Sequence, residues 1–200
     1  MTPTLEFWFD YGSPYSYLAD TQLEGLCART NADLVYCPML LGGIFKATGN
    51  RSPAQEPVEA KRHYGALEMR RWVEYYGVPF RNNPFFPINT LGIMRASVAA
   101  QQLGSFAPFH RAIYPAFWVD GLDLGDSEVL ATVLEEAGLD PAGILASAAR
   151  QEAKDELRGA TERAVARGVF GAPSFFVGDE IFFGADRLPF VERALLRESG

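Results

Sequence analysis

The hydrophobic period changes twice along this chain, and few folds accommodate both changes. Leu5, Phe7 and Phe9 alternate with Glu6 and Trp8, so residues 4–9 read as a strand, and Leu34-Val35-Tyr36 marks a second at about 33–39. A helix over about 14–29 lies between them, giving a β-α-β unit whose right-handed crossover builds a parallel pair. From about 57 to 168 the period is helical: Tyr64, Leu67, Trp72 and Tyr75, then Leu91, Met94 and Val98, then Phe106, Phe109, Ile113 and Phe117, then Val129, Leu130, Val133 and Leu134. Gly104 and Gly138 are placed to end helices, Asp126 and Asp140-Pro141 to begin them, and Pro115 to kink or break one. After Gly168 strands return: Ser174–Val177, a Gly178-Asp179 turn and Glu180–Phe183 form a tight hairpin, followed by a helix from about 188 to 197 with Asp186 as a candidate N-cap.

Composition narrows the function classes. The chain has 200 residues, 48% of them hydrophobic and 13% aromatic, enough for a substantial core. Its formal charge of −7 argues against nucleic acid or an anionic membrane surface as partner, since both demand clustered cations. The N-terminus lacks a basic segment followed by an apolar core, and no apolar run approaches bilayer length, so a soluble, cytoplasmic protein is expected. Cys27 and Cys37 fit neither the C-x-x-C spacing nor a zinc quartet and read as reduced, buried thiols, and His63 and His110 are too few and too far apart for a metal site.

The order β-α-β, helical block, β-β-α predicts an α/β, thioredoxin-like fold with a large all-helical insertion, residues 1–50 and 168–200 forming the thioredoxin-like part and 51–167 the insertion. At the start of the first helix, where a thioredoxin carries C-x-x-C, this chain has Ser13-Pro14-Tyr15-Ser16. Ser13 is also a good N-cap and Pro14 a good first helical residue, so the local pattern alone is satisfied by capping. A serine pair cannot form a disulfide, but it can host the thiolate of another molecule. A thiol with a pKa of about 8.5 needs roughly 2.7 kcal/mol of preferential stabilisation to fall by about two units, the order that one O–H donor plus a helix N-terminus supplies.

The stretches "FDYGSPYSYLA", "LLGGIFKATGN", "YGVPF" followed by "NPFFPINTL", and "GVFGAPSFFVGDEIFFGADRL" resemble the glutathione-dependent 2-hydroxychromene-2-carboxylate isomerases, relatives of the kappa-class glutathione transferases in the DsbA-like branch of the thioredoxin superfamily. The resemblance spans nearly the whole chain. It implies glutathione as cofactor, Ser13 facing its sulfur, and a cis Ala172-Pro173 bond with Ala172 pairing through its backbone with the peptide-like body. It further implies Asp186 and Arg187 at the γ-glutamyl end and Asn50 near thiol and substrate. Lys46 and Asn83 are weaker candidates for substrate contact, since a lone lysine is commonly a solvated charge and an asparagine before proline a turn residue. Phe85-Phe86 departs from the family's pattern around "NP". Tyr15 and Ser16 read as structural.

The activity implied is isomerisation of an unsaturated aromatic-catabolism acid, naphthalene-type breakdown intermediates included, by reversible thiolate addition. Conjugation of an electrophile, as in kappa-class transferases, needs the same residues. A thiol-disulfide oxidoreductase is disfavoured by the missing C-x-x-C, and a non-catalytic glutathione-binding module has the same site. A homodimer is expected by resemblance.

Overall fold

The computed structural model describes residues 2–198. Four strands, β1 (Thr4–Phe9), β2 (Asp33–Pro38), β3 (Ser174–Val177) and β4 (Glu180–Phe183), form one sheet in the order β2-β1-β3-β4. β1 runs parallel to β2, with Leu5 beside Leu34, and antiparallel to β3, with Phe7 beside Phe175; β3 and β4 form the hairpin. The two halves of the chain thus meet at the centre of the sheet, where β1 finds on one side its sequence neighbour and on the other a strand more than 160 residues away.

α1 (Pro14–Thr30) joins β1 to β2, and α9 (Leu188–Glu198) follows the hairpin. Between them lie α3 (Glu59–Tyr76), α4 (Leu91–Gln102), α5 (Phe106–Trp118), α6 (Ser127–Glu136), α7 (Pro141–Ala149) and α8 (Gln151–Ala166), as the helical period predicts. Leu5, Phe7 and Phe9 are fully buried on one sheet face, in a core that continues through Leu23, Met69, Ile93, Phe109, Leu130, Ile144 and Val191. Trp8 points the other way, into a smaller cluster with Met39, Ile44 and Phe176. Both faces of the central strand are therefore covered. Among the described residues, no helix is long and apolar enough to cross a membrane.

The caps follow the sequence signals: Asp126 accepts from Glu128 N–H, Asp140 accepts from Gly143 N–H, and Gly104 and Gly138 take the left-handed conformation just past α4 and α6. Two expectations are corrected. Pro115 does not break its helix; α5 runs on to Trp118, because burial of Phe117 and Trp118 beyond the proline offsets the one ladder bond that its missing N–H removes. Asp186 is not an N-cap: it lies inside a short 3-10 turn, Ala185–Arg187, that leads into α9, and its carboxylate pairs with the neighbouring Arg187.

A further helix, α2 (Leu41–Thr48), has no counterpart in the sequence reading. Its Gly42-Gly43 pair disfavours a helix by propensity. Packing explains it: a Cβ on Gly43 would lie 2.9 Å from Thr161 Cγ2, so glycine lets α2 sit directly against α8, and Thr161 Oγ1 accepts from Leu40 N–H at 3.0 Å.

Candidate functional site

Ser13 stands where β1 hands over to α1. Its backbone is extended, and its Oγ accepts from Ser16 N–H at 3.1 Å, capping the helix. The same hydroxyl donates to the Ala172 carbonyl at 3.0 Å, so the cap is also a bridge to a loop 159 residues away. Ala172-Pro173 is cis, as the resemblance implies. The Pro173 carbonyl accepts from Gly184 N–H at 3.0 Å, which fastens the Asp186-Arg187 turn to the proline loop. Upstream in that loop, the Phe170 carbonyl accepts from Asn50 Nδ2 at 2.8 Å. Segment 170–173 thus gathers Ser13, Asn50, Ala172, Pro173, Asp186 and Arg187 into one neighbourhood, through bonds from α1, the end of α2 and the turn before α9.

Ser13 is nearly buried, whereas Asn50, Asp186 and Arg187 are exposed at the rim. Tyr15, the second residue of α1, has its phenol pushed up first by burial and then by the charges of Glu68 and Asp186. Tyr76 donates from its hydroxyl to the Ala185 carbonyl at 3.0 Å and is pushed up to about 12, mainly by burial. Both phenols stay protonated at neutral pH beside the Asp186 carboxylate. The Ser16 hydroxyl is fully buried and meets no hydrogen-bond partner among the described residues.

Beneath the Ser13 turn lies Asp10, fully buried. Its Oδ1 accepts from Gly12 N–H at 2.9 Å; its Oδ2 accepts from Leu41 N–H at 2.9 Å and from the Thr90 hydroxyl at 3.0 Å. Burial pushes the Asp10 carboxyl up, and the three donors pull the other way. One carboxylate therefore holds the start of α2, the start of α4 and the Ser13 loop together. Gly12 fits because it has no side chain: a Cβ there would lie 2.7 Å from Thr90 Cγ2.

The remaining candidates fall elsewhere. Lys46 is exposed on α2, in the wall of a cleft between α2, α4 and α8. Asn83 is buried and its amide is already committed: Nδ2 donates to the Phe117 and Leu122 carbonyls, both at 2.9 Å, and Oδ1 accepts from Phe85 N–H at 2.8 Å. It ties a loop to the end of α5, in keeping with the turn role of an asparagine before proline. Cys27 is buried and Cys37 half-buried, both free, and burial pushes the Cys37 thiol up to about 12. Asp10 went unnoticed in the sequence, although "DYG" carries the signal of an aspartate that accepts a bond two residues on.

Chemically, the arrangement offers a hydroxyl donor at a helix N-terminus, a cis-proline loop bonded to it, and a carboxylate paired with a neighbouring guanidinium. The serine pair at the helix start carries no sulfur of its own to be oxidised.

Comparison with known proteins agrees with this geometry. The DSBA-like thioredoxin domain family matches residues 4–196. A 2-hydroxychromene-2-carboxylate isomerase from Sphingobium xenophagum is 35% identical, covering 98% of this chain and 100% of the relative. A glutathione S-transferase kappa 1 from Rattus norvegicus is 29% identical over 92% of this chain and 87% of its own length. Among solved structures, a 2-hydroxychromene-2-carboxylate isomerase superposes with a TM-score of 0.86 at 27% identity, covering 98% of this chain and 96% of that one.

Proposed function

The chain belongs to the DSBA-like thioredoxin domain family, in the branch it shares with the 2-hydroxychromene-2-carboxylate isomerases, and from that membership we propose that it is a glutathione-dependent isomerase of 2-hydroxychromene-2-carboxylate or a similar unsaturated aromatic acid. The observation that carries the reading is the Ser13 hydroxyl, held at the N-terminus of α1 and in contact with the Ala172 carbonyl.

The residues present fit glutathione by the chemistry of their donors. Ser13 provides an O–H and a helix N-terminus for a sulfur anion. In this reading the Ala172 backbone would pair with the peptide-like chain, and Asp186 and Arg187 would offer opposite charges to the amino and carboxylate groups of a γ-glutamyl end. When bound, glutathione supplies the thiolate that adds reversibly to the conjugated acid and leaves again once the former double bond has turned.

The protein's part is to keep that sulfur ionised and oriented. Ser13 now gives its proton to Ala172 O, and redirecting it toward a sulfur keeps the Ser16 cap intact, because the cap uses the oxygen's lone pair and not its proton. Asn50, tied to Phe170 O, fixes the rim where α2 meets the proline loop, and Lys46 lies one turn earlier on the same helix. Dimerisation and a cytoplasmic location belong to the same reading; the exposed Tyr75, edge-on to Trp72 and tilted against Tyr76, offers an aromatic surface for a second subunit.

The kappa-class relative favours a second reading, in which the same activated thiol is consumed in conjugation. Product mass separates the two. With glutathione and 2-hydroxychromene-2-carboxylate, the isomerase reading expects a product of unchanged mass formed with catalytic glutathione. A product heavier by one glutathione, with stoichiometric consumption, would replace it with the transferase.

A further inference from the structure

Tyr11 occupies the turn between β1 and Ser13, is fully buried, and has all three of its polar groups engaged. Its N–H donates to Met94 Sδ on α4 at 3.5 Å, and its carbonyl accepts from Trp118 Nε1 at the end of α5 at 2.8 Å. Its hydroxyl lies 2.8 Å from Nδ1 of His110, which is also buried on α5. The other ring nitrogen of His110, Nε2, meets Asp20 Oδ1 at 2.9 Å. Asp20 belongs to α1, the helix that Ser13 caps, so the bonds close a circuit from α1 through α5 and Tyr11 back to the Ser13 turn. Asp10 fastens the same turn to α2 and α4; the Asp20-His110-Tyr11 relay fastens it to α5 and to the body of α1.

Each proton in the relay has a definite place. A carboxylate only accepts, so Nε2 carries a proton; in the neutral ring Nδ1 is then an acceptor and the Tyr11 hydroxyl its donor. Burial pushes the Tyr11 phenol well above its ordinary range, which keeps that proton on it. The surroundings are aromatic: the rings of Phe9, Tyr36, Phe106 and Tyr114 have centroids between 4.5 and 5.4 Å from that of the imidazole. In such a place apolar groups of similar shape stabilise about as well as hydrogen-bonded polar ones. What a line of directed bonds adds is a single position for the groups it joins.

We propose that His110 is a positioning residue for Ser13: oriented by Asp20, it holds Tyr11, and through Tyr11 the Gly12-Ser13 turn, so that the Ser13 hydroxyl keeps one place over the first turn of α1. The relay touches no ligand and acts only through the turn. The proposal rests on the isomerase reading for the identity of the sulfur that Ser13 serves, and it goes beyond that reading by naming what holds the serine in place.

The test is amide hydrogen exchange, followed by NMR, in the full unliganded chain and in Tyr11→Phe, His110→Phe, Asp20→Ala and Asp20→Asn, with the thiolate absorbance of bound glutathione titrated in each. The Ser13 amide, which donates to the Asp10 carbonyl, and the Ser16 amide, which donates to Ser13 Oγ, report the order of the turn. Their exchange is expected to quicken about tenfold or more in Tyr11→Phe, His110→Phe and Asp20→Ala, while the amides of α8 keep their wild-type rates. Asp20→Asn, whose amide oxygen still accepts from Nε2, is expected to restore most of the protection. The pKa of bound glutathione is expected to rise by about half a unit or more in the three loosened variants and to hold in Asp20→Asn. Asp20→Ala keeps the test intact if the two buried-ring variants fail to fold. Unchanged Ser13 and Ser16 exchange, an equal rise across α8, equal effects of Asp20→Ala and Asp20→Asn, or a loosened turn with an unmoved thiolate pKa would each overturn the proposal. The exchange needs no ligand, so the two readings fail separately. A wild type that binds no glutathione overturns the isomerase reading and leaves the relay to be decided by exchange; a wild type that lowers the thiolate pKa, with variants that exchange like it, overturns the relay alone.

Discussion

The Ser13 hydroxyl accepts from one backbone group and donates to another, so Ser13→Ala removes a helix cap and a bridge between loops together. A stability loss of about 1–2 kcal/mol is expected by urea unfolding. Glutathione-dependent turnover is expected to fall by about 10²–10³, the scale of losing one donor to a developing or bound anion. Cys37 offers a contrast. With its thiol at about 12, it carries roughly a thousandfold less thiolate at pH 8 than an ordinary cysteine. Iodoacetamide at pH 8 is therefore expected to label the native chain far more slowly than the urea-unfolded chain, and the native rate to keep rising with pH toward 12; comparable native and unfolded rates would contradict this. The cap at Ser13 and the cis bond before Pro173 were legible because each stands in a short run of distinctive residues. Asp10 was not, since one aspartate before a turn does not show which distant groups, Leu41 N–H and the Thr90 hydroxyl, it will bind.

The elements that carry the site are joined by contacts no local pattern announces. Asp10 binds α2, α4 and the Ser13 loop at once, and Gly12 gives Thr90 the room to take part. Gly12→Ala puts a methyl group 2.7 Å from Thr90 Cγ2 and is expected to cost about 1–3 kcal/mol. Thr90→Ser deletes that methyl and keeps the hydroxyl bonded to Asp10, so the double variant is expected to recover at least half of the loss. Additive losses in a double-mutant cycle would show that the clash is not the cause. The same kind of contact hid α2. Two adjacent glycines weigh against a helix until the neighbour that requires one of them, Thr161 on α8, is in place. Strand positions were legible throughout, because β1, β2 and the hairpin alternate or cluster apolar residues over their whole length.

For the whole molecule, the sheet and the helical block share one apolar core, in which Phe7 and Phe175 from the sheet are continuous with Met69, Phe109 and Leu130 from the insertion. Polar links reinforce it: Tyr11 shares a 2.8 Å bond with His110 Nδ1, His110 Nε2 meets Asp20 at 2.9 Å, and Trp118 donates to the Tyr11 carbonyl at 2.8 Å. The two parts suggested by the sequence are thus expected to unfold together. Far-ultraviolet circular dichroism and tryptophan fluorescence should give coincident urea transitions, and separated transitions would mean that the insertion is an independent unit. Element order was enough to read the thioredoxin-like half. How closely the insertion is knit to it depended on which faces of six helices meet, and a single sequence does not specify that. Under the proposed function, Ser13 and the helix behind it stabilise a thiolate that glutathione brings. This is tested most directly by titrating bound glutathione through the ultraviolet absorbance of its thiolate, in wild type and Ser13→Ala. A pKa about two units below the free value of about 8.5 in wild type, returning most of the way in the variant, is the expected result; the same unshifted pKa in both would contradict it.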